Sequence, residues 1–560
     1  MNHAYLELQD YEVGGPEPQL DTALVVRDWC VFGLCISWVL GALAIVGGSL
    51  SLLLGQPHFV LPEFLREALP LLINIFVTLL NESMGYIHSA SLRFSLLKDQ
   101  KLAFNSNLRL LSHSSSSWAN SWPSNLIVLF CIVLTYSTPF LVFLGYNSAL
   151  DQVLGHKNTL QDGEIHLSGI ALIFFGGGLV GQALFVTWAF CASKILTWSS
   201  NPLDVLHACR WKGALRRRPG RCMYSIHDHP TDTSPIFPKH RQGPSCAAHK
   251  EAKWILGLLW GLIPLGGIWG VTIFMMINNG NPNGVQGDSW SFLPTYGTSN
   301  STHCGYEKYC TTGTSVLNVG WSYGDTTTGV IGSIFMITGF QAVITLALHC
   351  AELLVNLSRD EAIWRRATSH KGTDSNYNSI IAACTSWQTV SLFVFKAAVH
   401  WVFGLSVNVS YQLGINMYPP QIFYLTGSTL IVALLATYMS IRRPDGPQPA
   451  TYGHLQTLSD LIDDWHHCMY WGHKKNGIPG YYPAYAGTSS NSKGVRKIDF
   501  GQKYGGEPRE QSSSMERRSN QSLSSSIWAE QTRQPEVGWW DKLWTGVSLG
   551  WYEPAGTHDR

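Results

Sequence analysis

Six residues set in apolar stretches carry groups that ionise: Glu82, His88, His349, Glu352, Lys396 and His400. His349 and Glu352 stand three apart, and Lys396 and His400 four apart, so each pair shares a face if its stretch is helical. Glu352 precedes Arg359 by seven residues, about 10 Å of helix at ~1.5 Å per residue. Lys396 follows Trp387 by nine, about 13 Å. Matching depths on adjacent antiparallel helices would stack an acid–base pair on a pair of imidazoles, with Glu82 and His88 placed to join them. Ionisable groups are costly in a bilayer and mark either function or a bundle-internal pair. Three readings follow. The Glu352–Lys396 pair fixes helix rotation, the cluster couples protons or ions, or Lys396 snorkels to the interface and the pair does not form.

Metal chemistry is a weaker fit. His349-x-x-Glu352 has ligand spacing on a helix, but two ligands do not define a site. Residues 195–253 hold His207, Cys209, Cys222, His227, His229, His240, Cys246 and His249, at spacings that match no zinc framework. No metal site and no cofactor is therefore expected. The same stretch carries Arg216, Arg217, Arg218 and Arg221, which point to anionic lipid at an inner leaflet. There is no Walker loop, no dinucleotide fingerprint and no nucleophile elbow, so an ATP-driven pump is disfavoured. No nucleophile is arranged for a membrane-embedded hydrolase or transferase, and no feature points to nucleic acid.

The elements that position these residues are apolar spans. Charged residues make up 13% of the 560, against ~25% in soluble domains, and there are 22 Trp. Both fit a bilayer protein with interfacial aromatics. Eight segments approach the ~20 apolar residues a spanning helix needs: 31–54, 67–92, 125–145, 168–194, 254–278, 329–357, 388–410 and 421–441. The second is interrupted by Asn81-Glu82-Ser83. The expected fold class is an all-α membrane protein, a bundle of about eight transmembrane helices over 31–443.

Basic residues orient the spans, because Lys and Arg are retained on the cytoplasmic side. Of the 38, 34 fall in 1–30, 93–123, 194–253, 358–387 and 442–560. Arg66, Lys157 and Lys308 fall in the alternate segments, and Lys396 within a span. Both termini are thus expected in the cytoplasm. The stretch 1–28 has no positive n-region or cleavage site, so the first apolar run reads as a retained span. The segment 279–328, expected outside, holds the glycosylation acceptor Asn300-Ser301-Thr302 and two cysteines, Cys304 and Cys310, close enough to bridge in an oxidising compartment. A secretory-pathway or plasma membrane is the expected setting.

Gly177 and Gly181, Gly257 and Gly261, and Gly266 and Gly270 lie four apart, a spacing that lets helices approach closely. Pro139 and Pro264 predict kinks. Ser121-Trp122 and Ser386-Trp387 head the third and seventh spans at equal distances from Phe130 and Phe395, as a parallel four-plus-four duplication or chance would have it. Thr78 and Glu82 resemble Thr345 and Glu352, but at separations of four and seven.

Beyond Arg443, residues 444–485 contain Leu455, Leu458, Ile462, Trp465 and Met469 at three–four spacing, with Asp460, Asp463 and Asp464 elsewhere on the surface. This predicts an amphipathic helix over 454–471, docked under the spans or on a cytoplasmic protein partner. Residues 486–560 are Ser-, Gly- and charge-rich with an aromatic end, and predict a largely disordered tail.

Leu92-Arg93-Phe94, Phe104 to Arg109, His349 to Val355, Ser358 to Glu361, and His454 to Leu458 with Trp465 and Tyr470-Trp471-Gly472 resemble a family of uncharacterised multi-span membrane proteins of filamentous fungi. The resemblance covers the spans and the tail helix. It implies a fungal secretory-pathway membrane and no particular activity. A transporter- or channel-like protein working through the polar cluster leads the reading. A non-transporting organiser or receptor working through the loop and tail is the alternative, and a membrane-embedded enzyme the third. A polar-lined cavity near mid-membrane that reaches Glu352 and Lys396 would favour the first, and a dry, closed bundle with those two paired the second.

Overall fold

Apolar runs in a bilayer satisfy their backbone groups internally as helices, and the computed structural model folds them so. It describes residues 23–55, 57–60, 63–145, 164–280, 290–293, 302–304, 310–312, 316–319, 326–374, 383–410, 414–478 and 481–506. In chain order the main helices are α1 (Leu24–Leu54), α2 (Glu63–Lys98), α3 (Trp122–Ser137), α4 (Pro139–Val142), α5 (Gly169–Ala192), α6 (Pro202–Trp211), α7 (Lys250–Gly280), α8 (Thr326–Arg365), α9 (Trp387–Ser406), α10 (Pro419–Ile441) and α11 (Leu455–Leu461). Seven of them, α1, α2, α5, α7, α8, α9 and α10, are long and apolar enough to cross a membrane. The chain is a polytopic membrane protein. Helix α3 is apolar but only 16 residues long. It stops at Pro139, which has no N–H to continue the ladder, and α4 resumes for one turn. Pro264, by contrast, lies inside an uninterrupted α7.

The bundle is built twice. Helix α1 packs on α5 and α3 on α5, just as α7 packs on α10 and α9 on α10. Between the halves α2 meets α9 and α3 meets α8, the exchange a two-fold relation requires. Short strands repeat the pattern at one end: β1 (His58–Val60), β2 (Phe143–Gly145), β3 (Glu164–Leu167), β6 (Leu317–Val319), β8 (Val407–Ser410) and β9 (Gly414–Met417). Their order is β1-β3-β2-β8-β9-β6, a palindrome in which each half supplies three antiparallel strands. The central pair, β2 and β8, is parallel, with Gly145 opposite Ser410. A two-fold axis along the strands preserves their direction, whereas one normal to the sheet would reverse it. The repeat is therefore of the parallel kind.

Of the glycines the spacing suggested, Gly266 and Gly270 lie close against Thr426 and Phe423 of α10, and Gly181 against Cys131 of α3, and further glycines join them. A Cβ at Gly48 would meet the Gly169 carbonyl oxygen at 2.5 Å, and one at Gly169 the Gly48 oxygen at 2.6 Å, so α1 and α5 touch backbone to backbone. Gly177, Gly257 and Gly261 face open space.

At the other end, four segments rich in Lys and Arg share one core. Leu96 and Leu102, Leu203 and Cys209, Trp364, and Leu455, Met469 and Tyr504 are all buried there. Here the tail departs from expectation. The helix stops at Leu461, Ile462 turns extended, and β10 (Cys468–Lys475) pairs with β7 (Thr373–Asp374) and β11 (Tyr485–Ser489). The three–four spacing of Leu455 to Met469 spans a helix, a turn and a strand. Asp463 breaks the helical reading by accepting from Thr488 N–H (2.6 Å) and Lys474 Nζ (2.7 Å). Nor does disorder begin at residue 486: Ile236 and Tyr504 exchange both backbone hydrogen bonds, and Tyr504 is fully buried. Residues 507–560, with the aromatic end, lie outside the described residues.

The arginines assigned to lipid are largely turned inward. Asp460, buried, takes a forked contact from Arg218 (Nη2 to Oδ2 2.6 Å, Nε to Oδ2 3.0 Å) and lies 3.4 Å from Nε of Arg221, which is 3% exposed. Arg217 Nε donates to the Asp460 carbonyl, and Arg216 alone of the four stays exposed. A carboxylate on the supposed solvent face of 454–471 pairs with two of the cations supposed to face lipid.

Candidate functional site

Polar residues at four-residue spacing in the inner helices line the junction between halves. In α2 these are Asn74, Thr78 and Glu82; in α8, Gln341, Thr345 and His349. Four residues is close to one helical turn, so each trio forms a stripe. In these stripes Thr78 holds the place of Thr345 and Glu82 that of His349, so the resemblance of Glu82 to Glu352, already at unequal separations of four and seven, is not followed.

At the centre stands Lys396 of α9, 1% exposed at its side chain. Its Nζ donates to Glu82 Oε1 at 2.5 Å and to Glu352 Oε1. The ion pair expected from depth-matching is thus present, and Glu82 is a second partner for the same ammonium. Lys396 does not snorkel. The carboxylates are less enclosed, with Glu82 41% and Glu352 23% exposed at the side chain, so the acidic side of the cluster reaches accessible surface while the cation does not. Glu82, His349 and Glu352 form the described group of three donors whose ligand atoms lie within 4.8 Å of one another. The ammonium of Lys396 bridges its two carboxylates.

His349 Nδ1 lies 2.7 Å from Glu352 Oε1 and 3.1 Å from Arg109 Nη2. A single ring nitrogen either donates or accepts. With a proton it serves Glu352 and opposes Arg109; without one it accepts from Arg109 and requires a protonated Glu352. The tautomer and protonation of the ring decide which. Arg109 Nη2 also lies 3.7 Å from Glu352 Oε1. Two carboxylates thus face one ammonium and one guanidinium, and the cluster is formally neutral when the imidazoles are.

His400 lies one turn from Lys396 on the same helix. Its ring stacks on Tyr136 of α3, centroids 3.7 Å apart at 14°, and its Nδ1 contacts Gln341 Nε2. Tyr136 in turn donates to Thr78 Oγ1 at 3.3 Å. His88 is buried away from the acids, with Arg109 and Asn125 as polar neighbours.

Arg109, Tyr136 and Gln341 were not legible as site residues. Arg109 is the largest omission, because it belongs to a connection and not to a span. Residues 104–112 fold back into the bundle, where Leu110 packs with Val77, Val128, Ile132 and Tyr136. Asn105 Nδ2 and Ser106 Oγ donate to Asp360 Oδ2 at 2.9 and 3.3 Å, and Phe104 lies against His454 with centroids 5.0 Å apart. The stretches that carry the family resemblance therefore meet in space. The stripes at positions 74, 78 and 82 and at 341, 345 and 349 were the signal that would have found Gln341; nothing in the spacing announces Arg109.

Asn300 lies outside the described residues. Cys304 and Cys310 are directly opposite in the hairpin of β4 (Thr302–Cys304) and β5 (Cys310–Thr312). The histidines and cysteines of 195–253 do not converge among the described residues: His207 stacks on Trp465, and His240 on Phe500. No protein-family model, no curated protein and no solved structure matches this chain.

Proposed function

We propose that the chain crosses the membrane eight times, with both termini on the cytoplasmic side, and acts as a proton- or cation-coupled transporter. The observation that carries this reading is Lys396. Its ammonium is enclosed between Glu82 and Glu352, at the junction of two parallel repeats, and both acids reach accessible surface. Transporters built from such repeats bind substrate and coupling ion near mid-membrane at the repeat interface.

The eighth crossing is α3 with α4. The chain before it shares the basic-side core and the chain after it enters the strands at the opposite end. Residues 122–142 span about 31 Å of helix at ~1.5 Å per residue, against ~30 Å of hydrocarbon. The far side is then the lumen or exterior of a secretory-pathway or plasma membrane. The opposed Cys304 and Cys310 support that, since directly opposed strand residues fall within the Cα separation a disulfide needs.

Chemically, Lys396 is a tethered cation on two carboxylates. A proton arriving at Glu352 through His349 weakens its hold on Lys396 and leaves the ammonium with Glu82. A small cation entering at the exposed carboxylates competes with Lys396 in the same way. The test is reconstitution into liposomes loaded with a pH-sensitive dye, under imposed sodium or potassium gradients. Wild-type protein should move protons faster than Glu352→Gln; equal traces for the two would end the proposal. The enclosure of Lys396 also suits a purely structural pin in a membrane organiser. That reading gains if the variants unfold early while wild-type vesicles show no flux.

A further inference from the structure

A cavity of about 250 Å³ opens where α8, α9, β7 and the entry to α6 converge. Its walls include Arg359 and Arg366 at the end of α8, Ser386, Trp387 and Gln388 at the start of α9, and Asn201 ahead of α6. Arg359 is 14% exposed at its side chain, and its Nε is buried without a hydrogen-bond partner among the described residues. Asp360 Oδ1 stands 3.8 Å from Nη2, an ion pair beyond hydrogen-bond reach, while Oδ2 of the same carboxylate accepts from Asn105 and Ser106. A ligand anion in the cavity would add a charge-assisted contact to the accessible part of this guanidinium side chain.

The helix ends add to this. Ser386 caps α9 by accepting from Thr389 N–H, which leaves the N–H groups of Trp387 and Gln388 unbonded within the helix and beside the cavity. Asp374 also lines the wall, so the lining itself carries two guanidiniums and one carboxylate. Trp387 is 45% exposed at the head of an apolar span, the position of an interfacial aromatic. The volume is below the ~300–1,000 Å³ of sites that enclose a whole small molecule. It suits a headgroup whose remainder lies outside.

We propose that this cavity binds a phosphate group, presented by an anionic lipid of the adjoining leaflet, on Arg359, Arg366 and the start of α9. The lipid role expected of Arg216, Arg217, Arg218 and Arg221 passes to a pocket that none of them lines. The site is clasped by the two helices that carry Glu352 and Lys396, so occupancy draws the basic ends of α8 and α9 together.

The test uses the full chain in phosphatidylcholine nanodiscs, with and without phosphatidic acid, and reads the unfolding temperature and lipid retention by native mass spectrometry. Phosphatidic acid should raise the unfolding temperature of wild type. Arg359→Gln should weaken retention about tenfold, the loss of one charge-assisted contact. Arg366→Gln on the exposed rim, and Gln388→Glu, which suits a helix N-terminus yet repels phosphate, should reduce it while the protein stays folded. Arg443→Gln, on the same side but outside the cavity, should leave it intact. Inorganic phosphate in place of the lipid separates the sources: competition with the lipid shows that headgroup chemistry suffices, and its failure shows that the membrane must present the group. Equal retention by wild type, Arg366→Gln and Gln388→Glu, or an equal loss in Arg443→Gln, overturns the site.

Discussion

The guanidinium of Arg109 lies where a side chain at Gly85 would be. A Cβ on Gly85 would collide with Nη1 and come within 2.7 Å of Cζ, so the bare backbone of α2 is the passage by which a connecting segment reaches Glu352 and His349. Gly85→Ala should therefore expel the guanidinium and mimic Arg109→Met. Both should lose about 1–3 kcal/mol in unfolding measured in detergent, the usual range for overpacking or for a lost buried contact. A Gly85→Ala protein as stable as wild type, with Arg109 in place, would falsify this account of the passage.

The shared ammonium sets the outcome of a mutant cycle. Lys396→Met leaves Glu82 without this cation and Glu352 with only His349 and Arg109, which costs about 3–5 kcal/mol for a buried pair broken on one side, with the exposure of Glu82 and the remaining partners of Glu352 favouring the lower figure. Glu352→Gln alone is milder, because Glu82 still holds Lys396. Lys396→Met with Glu352→Gln should recover part of the loss, and adding Glu82→Gln most of it. Strictly additive losses across the cycle would show that the three do not interact.

Asp204, in the first turn of α6, gives a pH signature outside the bundle. Burial pushes its carboxyl up to about 7, Ser199 opposes this by hydrogen bonding, and Asp374 adds to it. Between pH ~4 and 7 the folded state then binds a proton that the unfolded state has lost, so stability falls as pH rises through that window. The full penalty, a few kcal/mol, is present above pH ~7. Asp204→Asn should stabilise the protein at pH 8 and leave it unchanged near pH 4. Parallel melting curves of the two proteins across the range would count against the shift.

His454 gives the opposite slope. Burial lowers its pKa to about 3, with Arg218 nearby adding to the effect, while its Nδ1 caps α11 by accepting from Thr457 N–H at 3.3 Å. The folded state keeps it neutral where the unfolded state takes a proton, so stability is lost on acidification below pH ~6.5. Proton NMR of labelled histidines, with His454 assigned by substitution, should show that its ring does not titrate at pH 5; a normal midpoint for His454 would refute the burial argument.

Topology is open to a direct check. Asn300→Gln should remove a glycosidase-sensitive mass shift, and cysteine exchanges at Cys304 or Cys310 should abolish a mobility difference between reduced and unreduced protein. A shift that survives Asn300→Gln would place the glycan elsewhere.

The apolar runs, their lengths and the segregation of Lys and Arg follow from sequence, because bilayer insertion is a local property of each twenty-residue window. Depth along a helix is equally local, which is why Glu352 and Lys396 were legible as a pair. What tertiary structure decided was everything that depends on which surfaces meet. Glu82 joins Lys396 because the two halves pack α2 against α9; Arg109 joins because its connection folds inward past Gly85. The arginines of 216–221 turn from lipid to Asp460 because residues 444–506 form a packed layer in place of a helix and a tail. Periodicity records which side of a segment is apolar, and charge records that a partner is needed. Neither records the partner, which the long-range packing of the two four-helix halves and the basic-side core supplies.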